Sequence, residues 1–172
     1  MQNNKKELPA EDKIKSDALR LLGARPRSVE ELRGRLRQKR HSKESIEEVL
    51  ELLKKQGLLD DAKFAKLFAE SSIHARPVGK RRLAMEMKKK GLSAGAIEGA
   101  MADFKDYDEK AAAKEAVANR FRRTTGMTPQ KKKARFFGFL KRRGFSNDAI
   151  FAALSELFKE DVITEGMEFD ES

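Results

Sequence analysis

The chain has 172 residues, 38 Lys and Arg against 28 Asp and Glu, a formal net charge of +10, and neither cysteine nor tryptophan. Disulfides and thiolate chemistry are excluded. No run approaches the roughly 18 consecutive apolar residues of a membrane span, and the polar first dozen residues lack the apolar stretch of a signal peptide. These features give a cytoplasmic protein as the expectation.

In chain order, Ile14, Ala18, Leu21 and Leu22 predict a helix over 13–23. Val29, Leu32 and Leu36 follow at helical spacing behind Ser28 and Glu31, the pattern of a capping box. Ile46, Val49, Leu50 and Leu53 make a third helix, with Ser42 as its N-cap. The pattern then restarts. Phe64, Ala65, Leu67 and Phe68 predict a helix over 61–74; Leu83 and Met87 carry a second, and Ile97 and Met101 a third behind Ser93. An alanine-rich run through Val117 to Phe121 predicts a helix over 108–123, followed by the polar joint Thr124-Thr125-Gly126-Met127. Thr128-Pro129 suits a capped helix with proline at its first position. Phe136 and Leu140 mark that helix, and Ile150 and Leu154 the next, behind Ser146. Past about Lys159 no periodic pattern is sustained.

One unit is thus written three times. Leu32, Leu36, Ser42, Ile46 and Leu50 recur as Leu83, Met87, Ser93, Ile97 and Met101, and as Phe136, Leu140, Ser146, Ile150 and Leu154. The serines lie 51 and 53 residues apart, and every internal spacing is kept. Arg25-Pro26 returns as Arg76-Pro77. Gly91 and Gly144 suit a left-handed helix stop two residues before the serine; Arg40 holds that slot in the first copy. The fold expected is all-α, three tandem three-helix repeats forming an elongated curved array. Its divisions are a flexible N-terminal tail over 1–12, repeats over 13–59, 60–106 and 107–159, and an acidic flexible tail over 160–172.

Charge follows the repeat. From Glu156 onward seven acids (Glu156, Glu160, Asp161, Glu165, Glu168, Asp170, Glu171) face the single base Lys159, which leaves residues 1–155 with 37 bases and 21 acids, net +16. Such a body points to a polyanionic partner, nucleic acid first, although generously solvated helix faces fit the same composition. Five residues before each serine stand Arg37, Lys88 and Lys141; three before stand Lys39, Lys90 and Arg143; between them lie Gln38, Lys89 and Arg142. The column seven before keeps no sign: Arg35, Glu86 and Phe139. Two explanations fit the basic columns, a stripe that faces a partner and cations that favour a helix C-terminus by about 0.3–1 kcal/mol. Arg81 and Arg82 add to the candidate polyanion-binding set, and Arg33, Lys80, Lys131, Lys132, Lys133 and Arg135 crowd the same helices. With Tyr107 the only tyrosine and the phenylalanines mostly at core spacing, a base-stacking platform is poorly supported.

Nothing reads as catalytic. Asp60 and Asp61 precede a helix and suit caps better than metal ligands. His41 and His74 are solitary, and Ser71-Ser72 near His74 has no acid at a spacing that makes a nucleophile. The reading is a non-enzyme without metal or cofactor.

The segments Ala18-Leu19-Arg20, Arg25-Pro26-Arg27-Ser28, Glu31-Leu32-Arg33, Gly57-Leu58-Leu59-Asp60-Asp61, Lys90-Gly91-Leu92 and Phe139-Leu140-Lys141-Arg142-Arg143-Gly144-Phe145-Ser146 resemble, in order and spacing, the bacterial RecX family of recombination regulators. The resemblance covers roughly residues 17–158. It implies three tandem three-helix repeats and no enzymatic activity. It also implies binding to the RecA recombinase as its filament on single-stranded DNA, in the filament's helical groove, with inhibition of ATP hydrolysis, strand exchange and coprotease action. Direct DNA binding is implied as well, and a monomer is expected. Leu58 departs from the family, where an aromatic often follows the glycine, and Arg40 replaces the glycine of the later copies. The alternative is a DNA- or RNA-binding helical repeat protein with no recombinase partner.

Overall fold

A computed structural model describes residues 9–121, 124 and 126–167. Among them lie α1 (Ala10–Ala24), α2 (Val29–Gln38), α3 (Lys43–Lys55), α4 (Asp61–Ala75), α5 (Lys80–Lys89), α6 (Ala94–Asp103), α7 (Glu109–Phe121), α8 (Pro129–Arg142) and α9 (Asn147–Met167), and no strand. The expected all-α architecture of three tandem three-helix repeats is present. Arg122, Arg123 and Thr125, within the expected third leading helix and its joint, lie outside the described residues, as do residues 1–8 and 168–172 of the two tails. Helix α1 begins at Ala10, ahead of the expected start, and α9 runs on to Met167 where the apolar pattern predicts no helix.

The chain forms two compact units, one of residues up to Leu67 together with Met87–Ala100, the other of Phe68–Glu86 together with Met101 onward. The core of the first is built from the positions that carry the helical period: Ile14 and Ala18 of α1, Val29, Leu32 and Leu36 of α2, and Ile46, Val49, Leu50 and Leu53 of α3. In the second, Ala113 and Val117 of α7, Phe136 and Leu140 of α8, and Ile150 and Leu154 of α9 close a core around Phe145. Each fully buried leucine-sized side chain contributes roughly 1.5–3 kcal/mol by leaving water.

The repeated serines cap as their position predicts. Ser42, Ser93 and Ser146 accept from the N–H of Ser45, Ala96 and Ala149 at 3.2, 3.2 and 3.3 Å, and Thr128 caps α8 ahead of Pro129. The preceding turn has the same geometry each time. The N–H groups of His41, Leu92 and Phe145 reach back to the carbonyls of Leu36, Met87 and Leu140, and those of Arg40, Gly91 and Gly144 to Arg37, Lys88 and Lys141. That paired return is the Schellman stop, and it needs a left-handed residue. Gly91 and Gly144 have φ of 79° and 78°, and Arg40 accepts 65° in their place.

Candidate functional site

The Schellman turn decides where the basic columns go, because it fixes which residues leave the end of α2, α5 and α8 toward solvent. Arg37, Lys88 and Lys141, in the last turn of those helices, are exposed, as are Lys89, Arg142 and Arg81. Lys141 Nζ lies 5.7 Å from the Phe137 ring centroid.

The column three before the serine behaves differently. Lys39 Nζ is 2.9 Å from Asp17 Oδ1, a carboxylate that also pairs with Arg20 and lies 3.0 Å from His41 Nε2. The Lys39 hydrogen bond outweighs burial there and, with His41 and Arg20, pulls the Asp17 carboxyl down to about 2. Lys90 Nζ is 3.9 Å from Glu31, which also pairs with Arg25 and, at 2.8 Å, with Arg27. Burial pushes the Glu31 carboxyl upward, but Arg25, Lys90 and Arg27 together hold it below its ordinary value. Arg143 donates to the Pro77 carbonyl at 2.8 Å. Three bases that align in sequence are thus each tied to their own fold. Arg82 is tied down too, by Glu86 at 2.7 Å and the Arg142 carbonyl at 3.1 Å.

These contacts sit at two joints of one design. In the first unit the N-cap Ser28 donates its hydroxyl to the Lys90 carbonyl, while its oxygen accepts from Glu31 N–H at 3.1 Å. In the second unit Gly79, 51 residues after Ser28, donates its N–H to the Arg143 carbonyl at 3.0 Å. Any Cβ at Gly79 would overlap the Gly144 carbonyl, so this joint excludes a side chain where the first has serine. The Glu31 carboxylate is occupied with arginines, and the first helical amide, Val29 N–H, donates to Asp61 at 2.8 Å. Asp60 accepts from Ala62 and Lys63 N–H at 2.9 and 3.0 Å, so both aspartates serve backbone amides. Tyr107 donates its hydroxyl to the Val78 carbonyl at 2.9 Å, a tie within the second joint.

Sequence columns missed Arg120, which joins column residues in a cluster of arginines. Arg120 of α7 and Arg143 both lie over the Phe139 ring, at 4.4 and 5.0 Å from its centroid. Next to them is a cleft of about 470 Å³ lined by Arg120, Thr124, Met127, Arg135, Phe136, Phe139 and Arg142. Burial pushes the Arg143 guanidinium below its ordinary value, and the charges of Arg76, Arg120 and Arg82 push the same way. One sign in the sequence could have found this set: Glu31 becomes Arg82 at the 51-residue offset.

Fold and site together define an all-helical protein of three tandem repeats whose second helices each end in an exposed cationic turn. The chain matches the family models described as RecX, first three-helix domain (residues 15–53), RecX, second three-helix domain (60–101), and RecX, third three-helix domain (107–154). The chain belongs to the RecX family. It is 31% identical over 150 residues to the regulatory protein RecX of Streptomyces lividans, covering 87% of this chain and 80% of that one. To the regulatory protein RecX of Chlorobium phaeobacteroides it is 34% identical over 142 residues, 83% and 91% of the two chains. The crystal structure of RecX from Lactobacillus salivarius has the same fold, with a TM-score of 0.72 at 22% identity over 86% of this chain and 96% of that one. Among the described residues no helix is long and apolar enough to cross a membrane.

Proposed function

We propose that this chain binds the RecA recombinase as its filament on single-stranded DNA and restrains it, lowering ATP hydrolysis, strand exchange and coprotease action. The observation that carries the reading is the match to all three RecX domains, whose named relatives are regulatory proteins. The exposed Arg37, Lys88, Lys89, Lys141, Arg142 and Arg81 support it physically. They offer cations at intervals along the chain, suited to acidic protein surface or DNA phosphate repeated along a filament. Lys90, Arg143 and Arg82 act by joining neighbouring repeats, and Lys39 by bracing the first repeat from within.

Repeats 13–59, 60–106 and 107–159 then work as three weak contacts on one target. Once the first is made, the others bind at high effective concentration, so no single repeat needs to bind tightly. A monomer that bridges neighbouring recombinase subunits restricts the cycling that ATP turnover requires. The protein acts in the cytoplasm, by binding alone and without a cofactor. The test is ATP turnover by recombinase on single-stranded DNA, titrated with the purified chain. Turnover is expected to fall to a low plateau, and unchanged turnover at saturation contradicts inhibition.

A further inference from the structure

The two joints are built alike but charged differently. At the first, Lys90 faces Glu31, a carboxylate shared with Arg25 and Arg27. At the second, Arg143 takes the place of Lys90 and Arg82 the place of Glu31, 53 and 51 residues on. An attraction has become a repulsion. The leading helices differ in the same sense. Ile14 and Ala18 of α1 and Ala113 and Val117 of α7 are buried pairs with the same four-residue spacing, 99 residues apart. The same offset turns Asp17, which balances Lys39, into Ala116, and Leu21 into Arg120.

The charges acting on Arg143 are those of Arg76, Arg120 and Arg82. Glu86 offsets one of them, at Arg82. Among the described residues, no carboxylate lines the adjoining cleft, where Arg120, Arg135 and Arg142 lie beside Phe139. Two guanidiniums are held on one ring face or edge while backbone carbonyls hold Arg143 and Arg82 in place. Like charges gathered in this way oppose the fold unless an anion joins them. Planar guanidinium forks favour phosphate, whose oxygens accept paired N–H donors.

We propose that the cleft between α7 and α8 is a phosphate-binding site, with Arg120, Arg135 and Arg142 as direct ligands. Arg76, Arg82 and Arg143 supply the surrounding positive field. Its occupant is either a backbone phosphodiester of single-stranded DNA or a free polyphosphate, and the two are separable by experiment. The DNA source rests on the reading above, in that this chain meets single-stranded DNA; the site itself does not.

The experiment compares the full chain with Arg120→Gln/Arg142→Gln and with a charge-matched control, Arg35→Gln/Lys43→Gln, in the absence of any recombinase. One arm measures fluorescence anisotropy of a labelled oligothymidylate against salt; the other measures thermal unfolding with inorganic pyrophosphate. If DNA fills the cleft, the site variant loses about tenfold in affinity beyond the control, and its log–log salt slope falls by roughly 1.4, two phosphates at ~0.7 each. If free polyphosphate fills it, pyrophosphate raises the melting temperature of the parent and the control but not of the site variant. Either result supports the site and names its source. Equal behaviour of site variant and control in both arms overturns it. Arg120→Lys/Arg142→Lys guards against misfolding: it keeps the charge, so the salt slope is retained while affinity drops a few-fold through loss of the forks. With no recombinase in either arm, failure here and failure of filament regulation are separate results.

Discussion

The backbone N–H of Val29 donates to the carboxylate of Asp61 at 2.8 Å, so the first amide of α2 is satisfied by the first residue of α4. The second unit repeats the device, with Lys80 N–H donating to Glu109 at 2.9 Å at the start of α7. An acid that opens one repeat's leading helix thereby caps the second helix of the repeat before it. This links consecutive repeats through the amides that a helix N-terminus leaves free.

Asp61→Ala and Glu109→Ala are each expected to cost about 1 kcal/mol, within the roughly 0.5–2 kcal/mol range of cap deletions. The measurement is urea unfolding, where the midpoint falls and the slope is unchanged.

Asp17 makes stability depend on acid. Its carboxyl is held at about 2 when folded, against an ordinary 3.8. A depressed folded value means the contribution is complete above about pH 4 and is lost as pH falls through about 2. Asp17→Asn is expected to remove on the order of 1–2 kcal/mol at neutral pH, allowing for solvent screening, and to flatten the unfolding free energy between those pH values. A parent and variant with parallel acid profiles would contradict the Lys39–Asp17 assignment.

Small residues separate two kinds of close packing. Gly79→Ala is expected to destabilise by about 1–3 kcal/mol, because the added methyl meets the Gly144 carbonyl. Gly34→Ala, inside α2 with open space around it, is expected to stabilise by about 0.5–1 kcal/mol. Arg40→Gly relaxes a left-handed residue at φ 65° and is expected to stabilise by roughly 0.5–1 kcal/mol. Thermal unfolding reads all three.

The two basic columns are expected to fail in different ways. Arg37→Glu/Lys88→Glu/Lys141→Glu leaves the melting temperature within a few degrees of the parent and weakens filament binding by tenfold or more. Lys39→Glu/Lys90→Glu/Arg143→Glu lowers the melting temperature, since it breaks contacts to Asp17, Glu31 and the Pro77 carbonyl. Calorimetry beside a filament-binding titration distinguishes them, and equal loss of stability in both would contradict the division.

Local signals made much of this legible in advance. The serines announce their caps because capping acts over three residues, and Gly91 and Gly144 announce the turn because a positive φ favours glycine, whereas Arg40 is found only by its alignment with them. Apolar spacing gives the cores built on α1–α3 and on α7–α9, whereas Ile97 and Met101 of the second copy are only half-buried and Leu67 is exposed. The fate of the basic columns was not legible. Lys39, Lys90 and Arg143 align perfectly in sequence, yet their partners are a carboxylate of α1, a carboxylate of α2 and a backbone carbonyl before α5. Those pairings are set by tertiary packing, which periodicity does not encode. Phe139 looked like a break in a surface column and instead seats two arginines. The helical backbone from Glu160 to Met167 has no apolar signature either.

Co-sedimentation with recombinase filaments, assembled with and without single-stranded DNA, tests the regulatory reading most directly. The account predicts that the chain pellets with DNA-bound filaments at a fixed ratio to recombinase and that Arg37→Glu/Lys88→Glu/Lys141→Glu stays in the supernatant. A parent chain that stays in the supernatant at every filament concentration would contradict it.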